Sequence, residues 1–288
     1  MTPRAETTAE QLFFTTVYIQ TNGQGVQSTG TGFIVAYTVE GGLFYVLVTN
    51  KHVLEGAEKA TFRMVSMGDD GQPSDAATQI TVNEMAEGVS WKGHDDPAVD
   101  VAVMPLGRVL EAMETNSAAP FFKSISPELF LTREQANDLD AIEQVLFIGY
   151  PNGLFDTASW LPIARRGQTA TPIQNDYRGM PSFLIDASVF PGSSGSPVFI
   201  FDRGSYVSRD GTTNIAHRLF FVGVVAAVHQ RRVTGEIMLA SKRPVAVLDD
   251  LIDLGIVFKA SAIQECIDGL VNLMGLKVLE AQPATDLA

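Results

Sequence analysis

The sequence has a single cysteine, Cys266, among 288 residues. One thiol cannot form an intrachain disulfide or supply a metal site of several thiolates, which excludes disulfide-stapled domains and zinc-finger modules. The sequence also lacks a glycine-rich phosphate-binding loop and any framework of cysteine and histidine at metal-ligand spacing. We therefore predict no cofactor and no metal ion, and we expect a reducing, cytoplasmic environment.

Positive charge and long apolar runs are also scarce. Lysine and arginine number 20 against 33 aspartate and glutamate residues, a formal net charge of −13, which repels nucleic-acid phosphates and anionic membrane surfaces. The longest apolar stretch, Leu219 to Val228, is about half of the ~20 residues that a membrane-spanning helix needs. The N-terminus has no apolar core of signal-peptide length. We predict no nucleic-acid partner, no membrane partner and no secretion.

Short runs of β-branched and aromatic residues, separated by turn residues, fill most of the chain and are typical of antiparallel β structure. We divide the chain into an N-terminal β half (1–106), a partly helical connector (107–142), a C-terminal β half (143–240) and an extension (241–288). In the connector, Thr132 and Gln135 have the spacing of a helix capping box.

A helix is predicted in the extension. Ser261 and Gln264 have capping-box spacing, and Gly275 is placed to end the helix. Apolar residues recur on one face at helical spacing: Ile263, Ile267, Leu270, Val271 and Met274. We expect this helix to dock against the second β half, and a helix that binds a partner is the alternative.

The residues from Gly192 to Pro197, which read GSSGSP, directly precede a predicted strand. Small residues packed this closely allow a tight turn whose backbone N–H groups converge beside a hydroxyl, as an oxyanion hole beside a nucleophilic serine requires. An ordinary turn before a strand is the alternative interpretation.

Two further candidates are independent of that motif. His52 follows an apolar strand and could act as a general base, because imidazole titrates near neutral pH; a structural histidine is the alternative. Asp100 lies in the apolar run 98–103, which we interpret as a strand, and a carboxylate buried there needs a donor. An imidazole N–H, an arginine or a backbone turn would serve.

Together these segments resemble the trypsin-like serine proteases, with the closest likeness to the HtrA-like branch. The matching segments read TGFIVAY and VTNKHVLEGA around His52, VDVAVMPL around Asp100, FIGYPNGL, and DASVFPGSSGSPVF around Ser194. The resemblance runs from about Phe13 to His229. It implies an all-β fold of two six-stranded antiparallel barrels with the active site between them. The 48 residues after Ala240 leave no room for the PDZ domain of many relatives.

The resemblance also implies roles. Ser194 is the expected nucleophile, His52 the general base and Asp100 its orienting partner, with the backbone N–H groups of Gly192 and Ser194 as the oxyanion hole. At Ser193 the digestive-type relatives carry an aspartate that pairs with a newly freed N-terminus, so we expect no activation by N-terminal cleavage.

The substrate pocket is expected to involve Ser188, which replaces the acid of tryptic relatives, together with Ala226, Ala227 and Val228. Such a small, apolar pocket favours aliphatic side chains. We expect Arg165 and Arg166 to be solvated.

The predicted function is a bacterial, intracellular serine endopeptidase that acts on peptides or proteins through an acyl-enzyme. We expect a role in protein quality control or as an effector triggered by an activating protein partner. A catalytically silent relative that binds peptides or serves as an interaction module is the alternative.

Overall fold

The protein is described from a computed structural model that covers residues 4–23, 25–116, 118–232 and 249–279, with the backbone alone for 227–232 and 249–252. These residues form fifteen strands: β1 (Thr16–Gly23), β2 (Val26–Val39), β3 (Gly42–Thr49), β4 (Lys59–Met67), β5 (Pro73–Asn83), β6 (Lys92–Gly93), β7 (Ala102–Pro105), β8 (Gln144–Gly149), β9 (Ile163–Thr169), β10 (Ser182–Asp186), β11 (Pro197–Asp202), β12 (Tyr206–Val207), β13 (Thr213–Asn214), β14 (Arg218–Arg232) and β15 (Asp249–Lys259). They also form five α-helices: α1 (Thr8–Phe13), α2 (Lys51–Leu54), α3 (Gly107–Asn116), α4 (Arg133–Asn137) and α5 (Ala260–Leu273). No helix in this part of the chain is long and apolar enough to cross a membrane.

The N-terminal half is one antiparallel sheet of seven strands in the order β5-β4-β1-β2-β3-β7-β6. In β4, buried Ala60, Phe62 and Met64 alternate with more exposed residues, the period-two pattern of a strand with one face on the core. The mostly β fold that we predicted is confirmed. A second closed six-stranded barrel is not confirmed, because this half is a seven-stranded sheet with β5 and β6 at its ends.

The C-terminal half is a closed six-stranded barrel in the order β10-β15-β14-β11-β8-β9. Its strand β15 spans Asp249–Lys259, beyond residue 240 where we ended this half. The acidic residues of β15, including Asp253, hide the strand from an analysis of apolar runs, whereas pairing with β10 and β14 closes the barrel.

The connector is partly helical, as predicted, with α3 and α4 inside it. Thr132 and Gln135 form the predicted capping box: the Thr132 hydroxyl accepts from the Gln135 amide, and the Gln135 side chain accepts from the Thr132 amide. In the C-terminal helix α5, the N-cap is Lys259 without a side-chain cap bond, so the Ser261–Gln264 spacing is not used.

Helix α5 buries the predicted face, including Ile263, Ile267, Leu270 and Val271, while Met274 forms the C-cap and is partly exposed. This face packs on both β halves rather than on the second alone, because it shares one apolar cluster with Val101 and with barrel residues. Three phenylalanines extend that cluster across the interface of the halves: the ring centroid of Phe221 lies 5.2 Å from that of Phe33 and 5.8 Å from that of Phe199.

Candidate active site

The turn between β10 and β11 holds Ser194, and two glycines shape it. Gly192 and Gly195 have φ values of +84° and +86°, in the left-handed region that side chains disfavour. A Cβ atom at Gly192 would lie 2.6 Å from the Tyr150 carbonyl oxygen, and one at Gly195 would lie 1.7 Å from the Thr31 carbonyl oxygen. Both positions therefore require glycine, because the turn packs directly against neighbouring backbone.

Within the segment 192–196 of the turn, two amides make no hydrogen bond to the described part of the chain. Ser193 N donates to Phe190 O at 3.0 Å, and Ser196 N donates to Ser193 O at 3.0 Å. The N–H groups of Gly192 and Ser194 have no acceptor within the described part of the chain. These are the two donors that we predicted for the oxyanion hole.

Three serines lie in this turn, and their exposure differs. Ser193 and Ser196 are 1% exposed, and their Oγ atoms are buried without a hydrogen-bond partner. Ser194 is only half-buried. A reagent or substrate can therefore reach the Ser194 hydroxyl more easily than the other two.

Thr31 in β2 connects the N-terminal sheet to this turn, which the sequence analysis missed. Its amide donates to Ser194 O at 2.9 Å, and its hydroxyl donates to Gly192 O at 2.9 Å and accepts from Tyr150 N at 3.0 Å. Thr49 in β3 donates its hydroxyl to Thr31 O at 2.7 Å. The signal in the sequence was the small-residue run Ser28–Gly32, but the Gly192 and Tyr150 groups that Thr31 binds lie more than a hundred residues away.

His52 lies on the short helix α2 and pairs with Asp100. His52 Nδ1 lies 2.5 Å from Asp100 Oδ2, and the His52 backbone N–H donates to Asp100 Oδ1 at 3.1 Å. Asn50 Nδ2 donates to the Asp100 carbonyl oxygen at 2.6 Å. Since an ionised carboxylate only accepts, Nδ1 carries the proton and Nε2 is left to accept one.

Asp100 precedes β7 by two residues and is not part of a strand, contrary to our interpretation of the apolar run. The Asp100 side chain is 27% exposed and that of His52 is 47% exposed, so neither side chain is buried. The apolar neighbours Val99 and Val101 are buried instead and anchor this segment in the core. The carboxylate consequently reaches His52 from a fixed backbone while remaining in contact with solvent.

Ser194 Oγ donates to the Ala226 carbonyl oxygen at 3.2 Å and makes no hydrogen bond to His52. Rotation about the Ser194 Cα–Cβ bond changes the direction of this hydroxyl, and such rotations of exposed side chains take picoseconds to nanoseconds. Catalytic hydrogen bonds are often absent before substrate binds. The structure thus joins His52 to Asp100 and leaves Ser194 on a different acceptor.

The loop after β8 supports the turn from the other side. Asn152 N donates to Pro191 O at 2.5 Å. Further along this loop, Phe155 and Trp160 stack with their ring centroids 5.4 Å apart, and the Arg63 guanidinium of β4 lies over both rings at 5.6 and 5.3 Å. These cation–π contacts tie the loop to the N-terminal sheet.

The predicted pocket residues are only partly described. Ser188 is half-buried and Ala226 is buried, whereas the side chains of Ala227 and Val228 lie outside the described residues. Arg166 is exposed, as expected. Arg165 is not fully solvated: its Nη1 atom is buried and has no hydrogen-bond partner. Among the described residues, no group of three or more His, Cys, Asp or Glu side chains could hold a metal ion.

The family model described as Trypsin-like peptidase domain matches residues 30–207. The chain belongs to this family. Membership in the trypsin-like peptidases confirms the resemblance that the motifs predicted, and it supports the predicted class of serine endopeptidase. Among curated proteins, none matches the sequence.

The chain is similar to solved protease structures. A structure of the HtrA-type protease AlgW with a tripeptide is 17% identical, with a TM-score of 0.50, and the match covers 94% of this chain and 65% of that one. The active form of the Rv3671c protease from M. tuberculosis is 17% identical, with a TM-score of 0.45 and coverage of 98% and 88%. This trypsin-like chain thus spans slightly less than two thirds of the length of AlgW, and at these identities the likeness concerns the fold alone.

Proposed function

We propose that this protein is a serine endopeptidase that hydrolyses peptide bonds through an acyl-enzyme intermediate. Ser194 is the nucleophile, His52 the general base and Asp100 the group that orients the imidazole. The observation that carries this proposal is the 2.5 Å contact between His52 Nδ1 and Asp100 Oδ2. This contact selects the tautomer in which Nε2 can accept the serine proton.

In the first step, substrate displaces the Ser194 hydroxyl from the Ala226 carbonyl oxygen, and the hydroxyl turns to His52. Ser194 Oγ then bonds to the scissile carbonyl carbon while His52 Nε2 takes the hydroxyl proton. Asp100 stabilises the resulting imidazolium. The free N–H groups of Gly192 and Ser194 receive the negative charge on the carbonyl oxygen, and each such donor is typically worth about 100-fold or more in rate.

His52 next gives its proton to the leaving amine, the C–N bond breaks, and the ester on Ser194 remains. Water then attacks the ester carbonyl carbon while His52 Nε2 takes its proton. The ester C–O bond breaks, His52 returns the proton to Ser194 Oγ, and the acid product leaves. No metal or cofactor is needed for either half-reaction.

The substrate is a peptide or a protein, which the tripeptide in the AlgW structure supports by analogy of fold. An intracellular role in protein quality control, or as an effector that a protein partner switches on, agrees with the acidic, single-cysteine chain. The Ser194–Ala226 hydrogen bond favours a resting state that substrate or a partner must rearrange. A silent peptide-binding module is the alternative.

Labelling with a fluorophosphonate tests the proposal. Mass spectrometry should find one adduct, on Ser194, because that hydroxyl is half-buried whereas its neighbours are buried. Ser194→Ala should abolish the adduct, and the matched control Ser196→Ala should retain it. An adduct on Ser193 or Ser196 would refute the assignment of the nucleophile. Absence of any adduct, with peptide binding retained, would favour the silent module.

A further inference from the structure

Arg165 lies in β9, directly opposite Phe147 of β8. Its guanidinium carbon lies 5.6 Å from the centroid of the Phe147 ring and 4.9 Å from that of the Phe190 ring. Two aromatic contacts hold the planar group in one place, so little side-chain entropy remains to be lost when it binds a ligand.

The hydrogen bonding of this guanidinium is incomplete. Its Nη1 atom is buried without an acceptor, and no carboxylate of the described residues forms an ion pair with Arg165. Asp253 attracts it from a greater distance, while burial lowers the pKa of the Arg165 guanidinium. A buried N–H without an acceptor is costly, more so on a charged group.

Arg218 shows how the same barrel satisfies a guanidinium that has only structural contacts. Its Nη2 donates to Glu143 Oε2 at 2.7 Å, and its Nε donates to Asp202 Oδ2 at 2.7 Å. Two carboxylates thus balance Arg218 within the chain. Among the residues that the structure describes, Arg165 has no equivalent, so no described carboxylate competes at close range with an acceptor from outside the chain.

The position of Arg165 brings it close to the reacting serine. Phe190, on which the guanidinium rests, begins the turn that holds Ser194 and accepts a hydrogen bond from Ser193. Three residues lie between Phe190 and Ser194, so their Cα atoms are at most ~14 Å apart if the segment is extended, and the turn is tighter than that. The stretch from Ala187 to Ser196 carries no charged side chain. This stretch therefore supplies neither a carboxylate that would pair with the guanidinium nor a cation that would repel it.

We propose that Arg165 selects substrates with a carboxylate side chain, glutamate or aspartate, at the residue whose carbonyl Ser194 attacks. The carboxylate accepts from N–H groups of the half-buried guanidinium, the charge-assisted contact that arginine forms with carboxylates. This inference rests on the proposed function and replaces the aliphatic preference that the sequence led us to expect.

Peptides that differ only in glutamate, glutamine or leucine at the cleaved position test this directly. The wild-type kcat/KM should be about tenfold or more higher for glutamate than for glutamine, since the two side chains have the same shape and differ in charge. Arg165→Met should remove this preference while leucine cleavage stays within about threefold. Arg165→Lys, which keeps the positive charge, should keep part of the preference for glutamate over glutamine. Arg166→Met is the matched control, because Arg166 is exposed on the next position of the same strand.

Equal rates for glutamate and glutamine in the wild type, or a preference that survives in Arg165→Met, would overturn the inference. Asp253→Asn should increase the glutamate preference, because it removes the acid that competes for Arg165. If no peptide is cleaved, the Ser194→Ala protein is titrated with peptides that end in glutamate or glutamine. Tighter binding of the glutamate peptide that disappears with Arg165→Met supports the inference even if the proposed catalysis fails, and equal binding overturns it.

Discussion

Replacing Thr31 by valine removes the hydroxyl that connects the N-terminal sheet to the Ser194 turn. Valine has nearly the same shape, so no cavity forms and the change isolates two hydrogen bonds. The hydroxyl donates to Gly192 O at 2.9 Å and accepts from Tyr150 N at 3.0 Å. Thr31 is 0% exposed, so water cannot replace the lost partner at either group.

The expected cost follows from the two groups left without a partner. A buried backbone donor or acceptor without a partner costs about 1–3 kcal/mol, so with two such groups the free energy of unfolding should fall by about 2–6 kcal/mol. Gly192 also carries one of the two free amides of the turn. Each 1.4 kcal/mol lost in holding that amide toward the reacting carbonyl reduces the rate about tenfold, and we expect kcat/KM to fall by about 10- to 100-fold.

Urea denaturation and peptide hydrolysis, measured on the same preparations, provide the two readouts. Thr38→Val is the matched control, because Thr38 is a half-buried threonine of the same strand whose side chain makes no hydrogen bond. An unchanged free energy of unfolding would refute the hydrogen-bond argument. A loss of stability with unchanged kcat/KM would refute the claim that Thr31 orders the turn for catalysis.

Two further predictions concern buried groups outside the turn. Burial raises the pKa of the Cys266 thiol to about 12. Iodoacetamide should therefore label the native protein very slowly from about pH 7 to about pH 9, and it should label the protein rapidly in urea. Fast labelling of the native protein would contradict the packing of α5. Arg218→Met should lower the free energy of unfolding, measured by urea denaturation, by about 3–5 kcal/mol, because it leaves the buried Glu143 carboxylate without its cation. The control Arg166→Met, at an exposed site, should change the free energy of unfolding by less than about 0.5 kcal/mol. A similar loss in both variants would show that the burial of the Arg218–Glu143 pair does not determine the cost.

Local patterns in the sequence predicted the elements that local forces decide. The capping box predicted at Thr132 and Gln135 is present. The same spacing at Ser261 and Gln264 forms no box, because α5 already begins at Ala260. The apolar face of α5 is set by helical periodicity, and four of its five predicted members are buried. The glycines of the Ser194 turn are required by left-handed backbone conformation, which a single residue type satisfies.

Pairings between distant residues were decided by the tertiary structure alone. Strand β15 reads as an acidic stretch until β10 and β14 pair with it, and this pairing closes the barrel. Asp100 lies in an apolar run that predicts a strand, yet its segment bends before β7 so that the carboxylate meets His52. Side-chain hydrogen bonds of this kind have no sequence period and therefore cannot be read from spacing.

The two neighbouring arginines of β9 also show what the sequence determines and what only the tertiary structure decides. The sequence determined that Arg165 and Arg166 are adjacent cations, and from it we expected both to be solvated. Strand β9 in the structure places the two side chains on opposite faces. Only the packed barrel decided that one rests against Phe147 and Phe190 with a buried N–H while the other stays in solvent. The two arginines contribute equally to the composition, but burial depends on residues that folding brings together from separate strands. Burial makes an unpaired charged group costly, and this cost is absent in solvent.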